Sequence, residues 1–319
     1  MKKLMFCLSA LFMFAACSDD ESSNVQQEET VETGNTPRRG CATDDVFKSQ
    51  LEADPALAAR MQQIEEHASN FDIRQARLVN GQIVIPVVFN VLYRTAAENI
   101  SDAQLQSQID VLNKDFNAQN TDFGNVPSVF SGVKANVGIR FELDKVNRKY
   151  VNRTSWGTSN LMKTSTGLTA TTPTTKLNLW VCTIGGGILG YAQFPGGASS
   201  TDGVVVDSKY VGTNGTATYP FNLGRTATHE VGHWMNLRHI WGDTTCGTDY
   251  VADTPTHNAA NYGVPTYPHY STCTGTPVEM TMNYMDYSDD RGLYMFTNGQ
   301  KSRMLSLFSS GGARYSFAQ

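Results

Sequence analysis

His229-Glu230-Val231-Gly232-His233-Trp234-Met235-Asn236-Leu237-Arg238-His239 places three imidazoles within one short stretch. The first two are four residues apart. On a helix they lie one turn above each other on one face, so both rings reach a single Zn²⁺. Leu223, Ala227, Val231 and Met235 then form the opposite, buried face. Glu230 adjoins the first ligand and can face a water activated by the metal, taking its proton as it attacks a carbonyl. A straight helix would carry His239 away from the metal, so the helix must stop near Asn236 and turn back. Such a turn needs a left-handed backbone, which Gly adopts best and Asn next. Three His ligands plus a position for water make an open catalytic site, not a closed structural one.

Around the motif the pattern is that of an α+β fold. Ile83 to Tyr93 is a continuous apolar run, the mark of a buried strand, and Pro86 within it needs an edge or a bulge. Ser101 opens a helix: Ser101 and Gln104 form a capping box, and Ile100 staples onto Leu105. Leu105, Ile109, Leu112 and Phe116 recur on one face of it. Gly138 to Val146 alternates as a half-buried strand, and Leu177 to Ile184 and Val204 to Asp207 read as further strands. Gly185-Gly186-Gly187 separates Leu177 to Ile184 from Ile188 to Phe194. After His239, periodicity fades until Gly299 to Phe308, so metal and disulfide must hold that half. No internal repeat is visible.

The 319 residues suit one large domain or two smaller ones with processed ends, and 40% apolar residues suffice for a sizeable core. The net charge of -5 comes with no basic stripe, which excludes a nucleic-acid binder. Lys2, Lys3 and the apolar run Leu4 to Ala16 read as an export signal over residues 1–17, too short to span a bilayer. Phe14-Ala15-Ala16-Cys17 resembles a bacterial lipobox, with Phe in place of the usual Leu; lipidation at Cys17 and ordinary cleavage nearby are the two readings. Ser18-Asp19-Asp20-Glu21 resembles the acidic tag of some surface lipoproteins, or simply starts an acidic linker. Residues 18–76 read as an acidic tether and propeptide, with one helix from Leu51 to Ile64, and residues 77–319 as the catalytic domain. The chain is expected to be exported, as an outer-membrane or cell-surface lipoprotein or secreted after processing. Cys41, Cys182, Cys246 and Cys273 permit three full pairings, and export makes a disulfide plausible. His67, His257 and His269 read as ordinary surface histidines.

The zinc motif resembles that of metzincins, with Asn236 in the usual Gly position, and Asn283-Tyr284-Met285-Asp286-Tyr287 looks like their Met-turn. Asp253-Thr254-Pro255, Met285-Asp286-Tyr287-Ser288-Asp289-Asp290 and Phe296-Thr297-Asn298-Gly299-Gln300 are similar to the pappalysin family, especially its ulilysin-like bacterial branch. The likeness covers Ile83 to Phe308. It implies a metzincin-type catalytic domain: a twisted mixed sheet with backing and active-site helices above an irregular C-terminal half, with substrate in the cleft between.

The resemblance also implies roles, residue by residue. One Zn²⁺ would sit on His229, His233 and His239, with Glu230 as base, Met285 beneath the metal and Tyr287 stabilising the oxyanion. Ile188 to Phe194, with Gly190 and Tyr191, resembles the edge strand that takes substrate by main-chain hydrogen bonds. Arg38-Arg39-Gly40-Cys41 resembles a cysteine switch, the Cys41 thiolate holding a zymogen latent on the zinc; a Cys41–Cys182 disulfide is the rival reading. Cys246 and Cys273 match one disulfide of the relatives; a second family bridge is missing at positions near Val264 and Gly292. Cys182 then remains a buried strand thiol. The stretch from Thr248 resembles a loop for structural Ca²⁺, with Asp249 and Thr254 as ligands and carbonyls from Thr248 and Val251. Asp290 would floor the pocket for the residue after the cut and prefer Arg, then Lys. The precursor offers matching bonds at Ile73-Arg74 and Ala76-Arg77. The expected partners are protein or peptide substrates, met by a monomer. The alternative is a non-catalytic zinc-carrying surface binding or adhesion protein, against which the retained Glu230 argues.

Overall fold

A computed structural model describes residues 37–76 and 81–318; the leader, Cys17, most of the tether and Arg77 lie outside them. The sheet has five strands in the order β2-β1-β3-β5-β4. Strands β1 (Ile83–Tyr93), β2 (Ile139–Tyr150), β3 (Leu177–Cys182) and β5 (Val204–Asp207) are parallel, and β4 (Gly190–Ala192) closes one edge antiparallel to β5. Interior β1 is covered on both faces, which is why its sequence is continuously apolar. Ile85, Val87, Phe89 and Val91 face the cluster containing Leu105, Leu112, Ala227 and Val231. Leu92 faces the other side, with Trp180, Cys182, Tyr191 and Val205. Each such side chain contributes about 1.5–3 kcal/mol by leaving water.

Pro86 is tolerated for a visible reason. Pairing between β1 and β3 starts only at Val87, so on that side Pro86 has no ladder partner to disappoint, and the register with β2 slips at Val87/Val88. β2 runs four residues beyond the expected strand, to Tyr150. β3 stops at Cys182, two residues short of the expected Ile184.

The helices α3 (Asp102–Phe116) and α4 (Arg225–Trp234) pack on the sheet and on each other. Ser101 caps α3 by accepting from Gln104 N, but the box is not reciprocal. The Gln104 amide turns instead to Val211 O and Thr216, because it is buried and those acceptors surround it. The helix expected from Leu51 to Ile64 is two: α1 (Thr43–Ala53) and α2 (Ala56–Ser69). Pro55 lacks an N–H and pushes the residue before it out of the helical region, and Asp54 sits at φ -138°, ψ 87°. Leu57, Met61 and Ile64 of α2 are buried against the main core, and Glu65 reaches Arg303 at 2.5 Å and the Asn236 amide at 3.3 Å.

Beyond Trp234 the only α-helix among the described residues is α5 (Asn298–Ser306). Thr297 and Gln300 form its capping box, and Asp253 accepts from Thr297 Oγ1 and Gly299 N, so this carboxylate ties the irregular half to α5. A Cys246–Cys273 disulfide crosses the same half; Cys41 and Cys182 are free, so the rival Cys41–Cys182 bridge does not form. A buried polar knot adds to it: Asn261 donates to both Glu279 and Asp286, and His257 packs beside both carboxylates. His257 is therefore not a surface residue, since it is wholly buried and accepts from Met280 N. No helix among the described residues is long and apolar enough to cross a membrane.

Candidate metal centre and cleft

Every residue of α4 is buried, which fixes the motif rigidly. The helix begins at Arg225, so Leu223 lies outside it and is 37% exposed instead of belonging to the buried face. Asn236 adopts φ 67°, the left-handed turn expected there, and Leu237 N returns to Gly232 O at 3.0 Å. The reversal delivers His239. Its Nε2 lies 3.0 Å from that of His233, which is 3.1 Å from that of His229.

The other ring nitrogens show what this cluster needs. His229 Nδ1 donates to Tyr284 O at 2.7 Å and His233 Nδ1 to Leu237 O at 2.8 Å, while His239 Nδ1 is held by Asp243. A carbonyl only accepts, so the proton of His229 and of His233 sits on Nδ1 and the Nε2 lone pairs converge. Burial, then repulsion between the neighbouring rings, holds both imidazoles well below their usual pKa. Lone pairs this close repel unless a cation lies among them. Zn–N bonds of ~2.0–2.1 Å at tetrahedral angles would put ligand nitrogens about 3.3 Å apart, close to what is seen. The donor set therefore fits a metal ion. Cys41 completes it: its Sγ and the three ring nitrogens all lie within 4.8 Å of one another.

Two glycines let the parts approach. A Cβ on Gly232 would fall 2.5 Å from Met285 Sδ, so Met285, fully buried, packs directly beneath the helix between the two ligands. A Cβ on Gly190 would fall 2.8 Å from Glu230 Cγ, so β4 passes edge-on against that carboxylate. Glu230 Oε2 accepts from Thr43 Oγ1 at 3.1 Å and Cys41 Sγ at 3.4 Å. Burial pushes Glu230 up to about 8, and enclosure, followed by the Glu230 charge, pushes the Cys41 thiol well above its usual range. Tyr287 lies over the cluster, its ring 4.9 Å from that of His239, and its hydroxyl donates to Cys41 O at 3.2 Å.

The segment 39–43 threads the cleft. Gly40 O accepts from Leu189 N at 2.8 Å, Ala42 N donates to Gly190 O at 3.1 Å, and Cys41 pairs with Gly190 in the parallel sense. Tyr191, expected to bind substrate, pairs instead with Val205 of β5, and its side chain points to the opposite face, where the hydroxyl reaches Met162 Sδ and Asn160. Arg39 enters a closed pocket and meets Asp290 at 2.6 Å, with the two side chains 1% and 0% exposed. It also donates to Ser288 O and Thr226 Oγ1 and lies 5.0 Å from the Phe221 ring. Asp290 accepts further from Leu223 N and Arg225 N. No local pattern marks Thr226 or Phe221, and Ser288, although within the Met285–Asp290 block, takes part through its backbone carbonyl. Further away, Thr254 Oγ1 donates to Asp249 at 2.9 Å and lies 2.9 Å from Val251 O, while Thr248 Oγ1 accepts from Tyr250 N. Burial pushes Asp249 up to about 6.

Known proteins agree with this geometry. The family model peptidase M43, described as pregnancy-associated plasma protein-A, matches residues 178–309. Extracellular metalloprotease 1 of Coccidioides posadasii is 35% identical over 247 residues, covering 72% of this chain and 78% of its own length. An extracellular metalloprotease of Pyricularia oryzae is 37% identical over 221 residues, covering 67% and 70%. Among solved structures, Tannerella forsythia mature mirolysin in complex with a cleaved peptide is 43% identical, with a TM-score of 0.72, covering 74% of this chain and 96% of that one. A mutant of Tannerella forsythia promirolysin is 39% identical, with a TM-score of 0.80, covering 88% and 97%. With the fold, the donor set and these relatives in agreement, the chain belongs to the pappalysin family of metzincin zinc metallopeptidases.

Proposed function

We propose that the chain is the latent precursor of an exported endopeptidase that cuts on the amino side of Arg, then Lys. One observation carries this reading: Arg39 sits on Asp290 in a closed pocket while Cys41 Sγ sits among the three imidazoles. A peptide cut before Arg would fill the same pocket with its Arg and lay the preceding residues over the metal, running antiparallel to β4. Residues 39–43 run parallel to it. They borrow the pocket but travel backwards, so they block the cleft without offering a bond to cut. The wider match to the pro form of mirolysin than to its mature form, 88% against 74% of this chain, supports reading residues 18–76 as tether and prosegment.

His229, His233 and His239 would hold the zinc, which when bound would supply Lewis acidity to water and to a peptide carbonyl. Glu230 is the base, facing the place that Cys41 Sγ vacates when the prosegment leaves. Tyr287 then loses Cys41 O as acceptor, and its hydroxyl is free to donate to the developing oxyanion. Gly190 offers main-chain groups to substrate, as it does to Ala42. Met285 supports the ligand helix from below. Asp249 and Thr254, with the carbonyls of Thr248 and Val251, would be the donors for a structural Ca²⁺. Export by residues 1–17, lipidation at Cys17 and release by cutting at Ile73-Arg74 or Ala76-Arg77 complete the reading; relatives named extracellular metalloproteases support export.

Purified precursor and its Cys41→Ala variant, assayed on peptides with a single internal Arg, test this. The precursor should be nearly silent, the variant active and chelator-sensitive, and the products should begin with Arg. A silent variant, or a Cys41 found in a disulfide in the inactive precursor, overturns the switch; cuts showing no Arg or Lys preference overturn the pocket.

A further inference from the structure

We infer that Phe194 and Arg238 form a subsite for an aromatic side chain among the substrate residues preceding the cut; this deepens the proposed peptidase reading and rests on it. From Arg39 to Phe47 of α1 the N-terminal segment touches successive stations, before, along and beyond β4. Arg39 fills the Asp290 pocket, Cys41 pairs with Gly190 beside the imidazoles, and Thr43 Oγ1 accepts from Ala192 N at 2.9 Å. The next is Phe47. Its ring meets that of Phe194 edge-on at 5.2 Å and lies 4.9 Å from the Arg238 guanidinium. Arg238 in turn lies 4.1 Å from the Phe194 ring centre, and Phe194 is 5.6 Å from the His233 ring. The shelf therefore flanks the metal centre on the side opposite Asp290. With Arg after the cut in the Asp290 pocket, the residues before the cut must cross this shelf.

Its chemistry selects an aromatic ring. Arg238 Nε is buried without a hydrogen-bond partner, and the guanidinium packs on two rings instead. A cation on an aromatic face is held by the ring quadrupole, more strongly where water is excluded. When the prosegment leaves, Phe47 leaves with it and Arg238 keeps Phe194 alone. A Phe, Tyr or Trp of the substrate restores the second ring. An aliphatic side chain fills the space but lacks the quadrupole.

The test uses enzyme matured from the full chain, as wild type, Phe194→Leu and Arg238→Gln, with folding checked by thermal melts. The substrates are a peptide library with Arg fixed after the scissile bond and the three preceding positions randomised. Wild type should favour aromatic over leucine residues at one of those positions by about tenfold in kcat/KM. Both variants should fall towards parity there while still preferring Arg after the cut. Arg preference without aromatic preference in wild type overturns the shelf alone, as does an aromatic preference unchanged in both folded variants. No Arg preference in wild type removes the orientation and overturns both readings.

Discussion

Replacing Arg39 by Ala in a precursor that cannot process itself isolates the contribution of the pocket to latency. The background carries Arg74→Ala and Arg77→Ala to remove the two candidate cleavage points. Arg39 gives three hydrogen bonds inside the protein, to Asp290 Oδ1, Ser288 O and Thr226 Oγ1. With side chains 1% and 0% exposed, the Arg39–Asp290 pair is a buried one. Breaking a buried pair by removing one partner costs about 3–5 kcal/mol. Once the segment swings out, however, Asp290 regains water and recovers part of that loss. That leaves a net change of about 3 kcal/mol for three hydrogen bonds donated by one guanidinium, of which one also meets a charged acceptor. At about 1.4 kcal/mol per factor of ten, open precursor should rise roughly a hundredfold. Initial rates on a quenched fluorescent peptide with one Arg measure this, with mass spectrometry confirming an intact chain. Arg39→Lys should fall between, because an ammonium keeps the charge but not the planar fork. An Arg39→Ala rate indistinguishable from its parent would refute the reasoning, since the pocket would then contribute nothing to closure.

Two further outcomes follow from the same geometry. Tyr287→Phe in the matured enzyme should lower kcat by about a hundredfold with little change in KM, because its donor acts on charge that develops only in the transition state; steady-state kinetics read this directly, and an equal loss in KM would assign Tyr287 to ground-state binding. Gly232→Ala should destabilise by about 1–3 kcal/mol through overpacking against Met285 Sδ, seen as a lower melting temperature; an unchanged melt would mean that Met285 gives way freely.

The reversal at Asn236 was legible because a third His at that spacing leaves the chain no other route, and only Gly or Asn makes such a turn cheaply. β1 and α3 were legible for the opposite reason: long apolar patterns report burial without knowledge of the partner. Where the partner decides, the sequence was silent. Ser101 and Gln104 satisfy the capping-box pattern, but the Gln104 side chain answers to Val211 and Thr216, more than a hundred residues on. His257 lies in a stretch without periodicity, so nothing local distinguished a surface imidazole from one buried beside Glu279 and Asp286. The break at Pro55 follows from Pro itself, although the apolar spacing of Leu51, Leu57, Met61 and Ile64 runs straight across it. The walls of the Arg39 pocket come from Thr226 and Ser288, far apart in the chain and without any shared motif.

In the proposed mechanism three imidazoles hold zinc while Glu230, which is not a ligand, does the proton chemistry. Metal content and peptide hydrolysis measured on the same matured samples of wild type, Glu230→Ala and His233→Ala test it most directly. One zinc per chain is expected in wild type and in Glu230→Ala, hydrolysis only in wild type, and neither metal nor activity in His233→Ala. Turnover by Glu230→Ala at the wild-type rate, or a wild type whose hydrolysis survives complete removal of zinc, would contradict it.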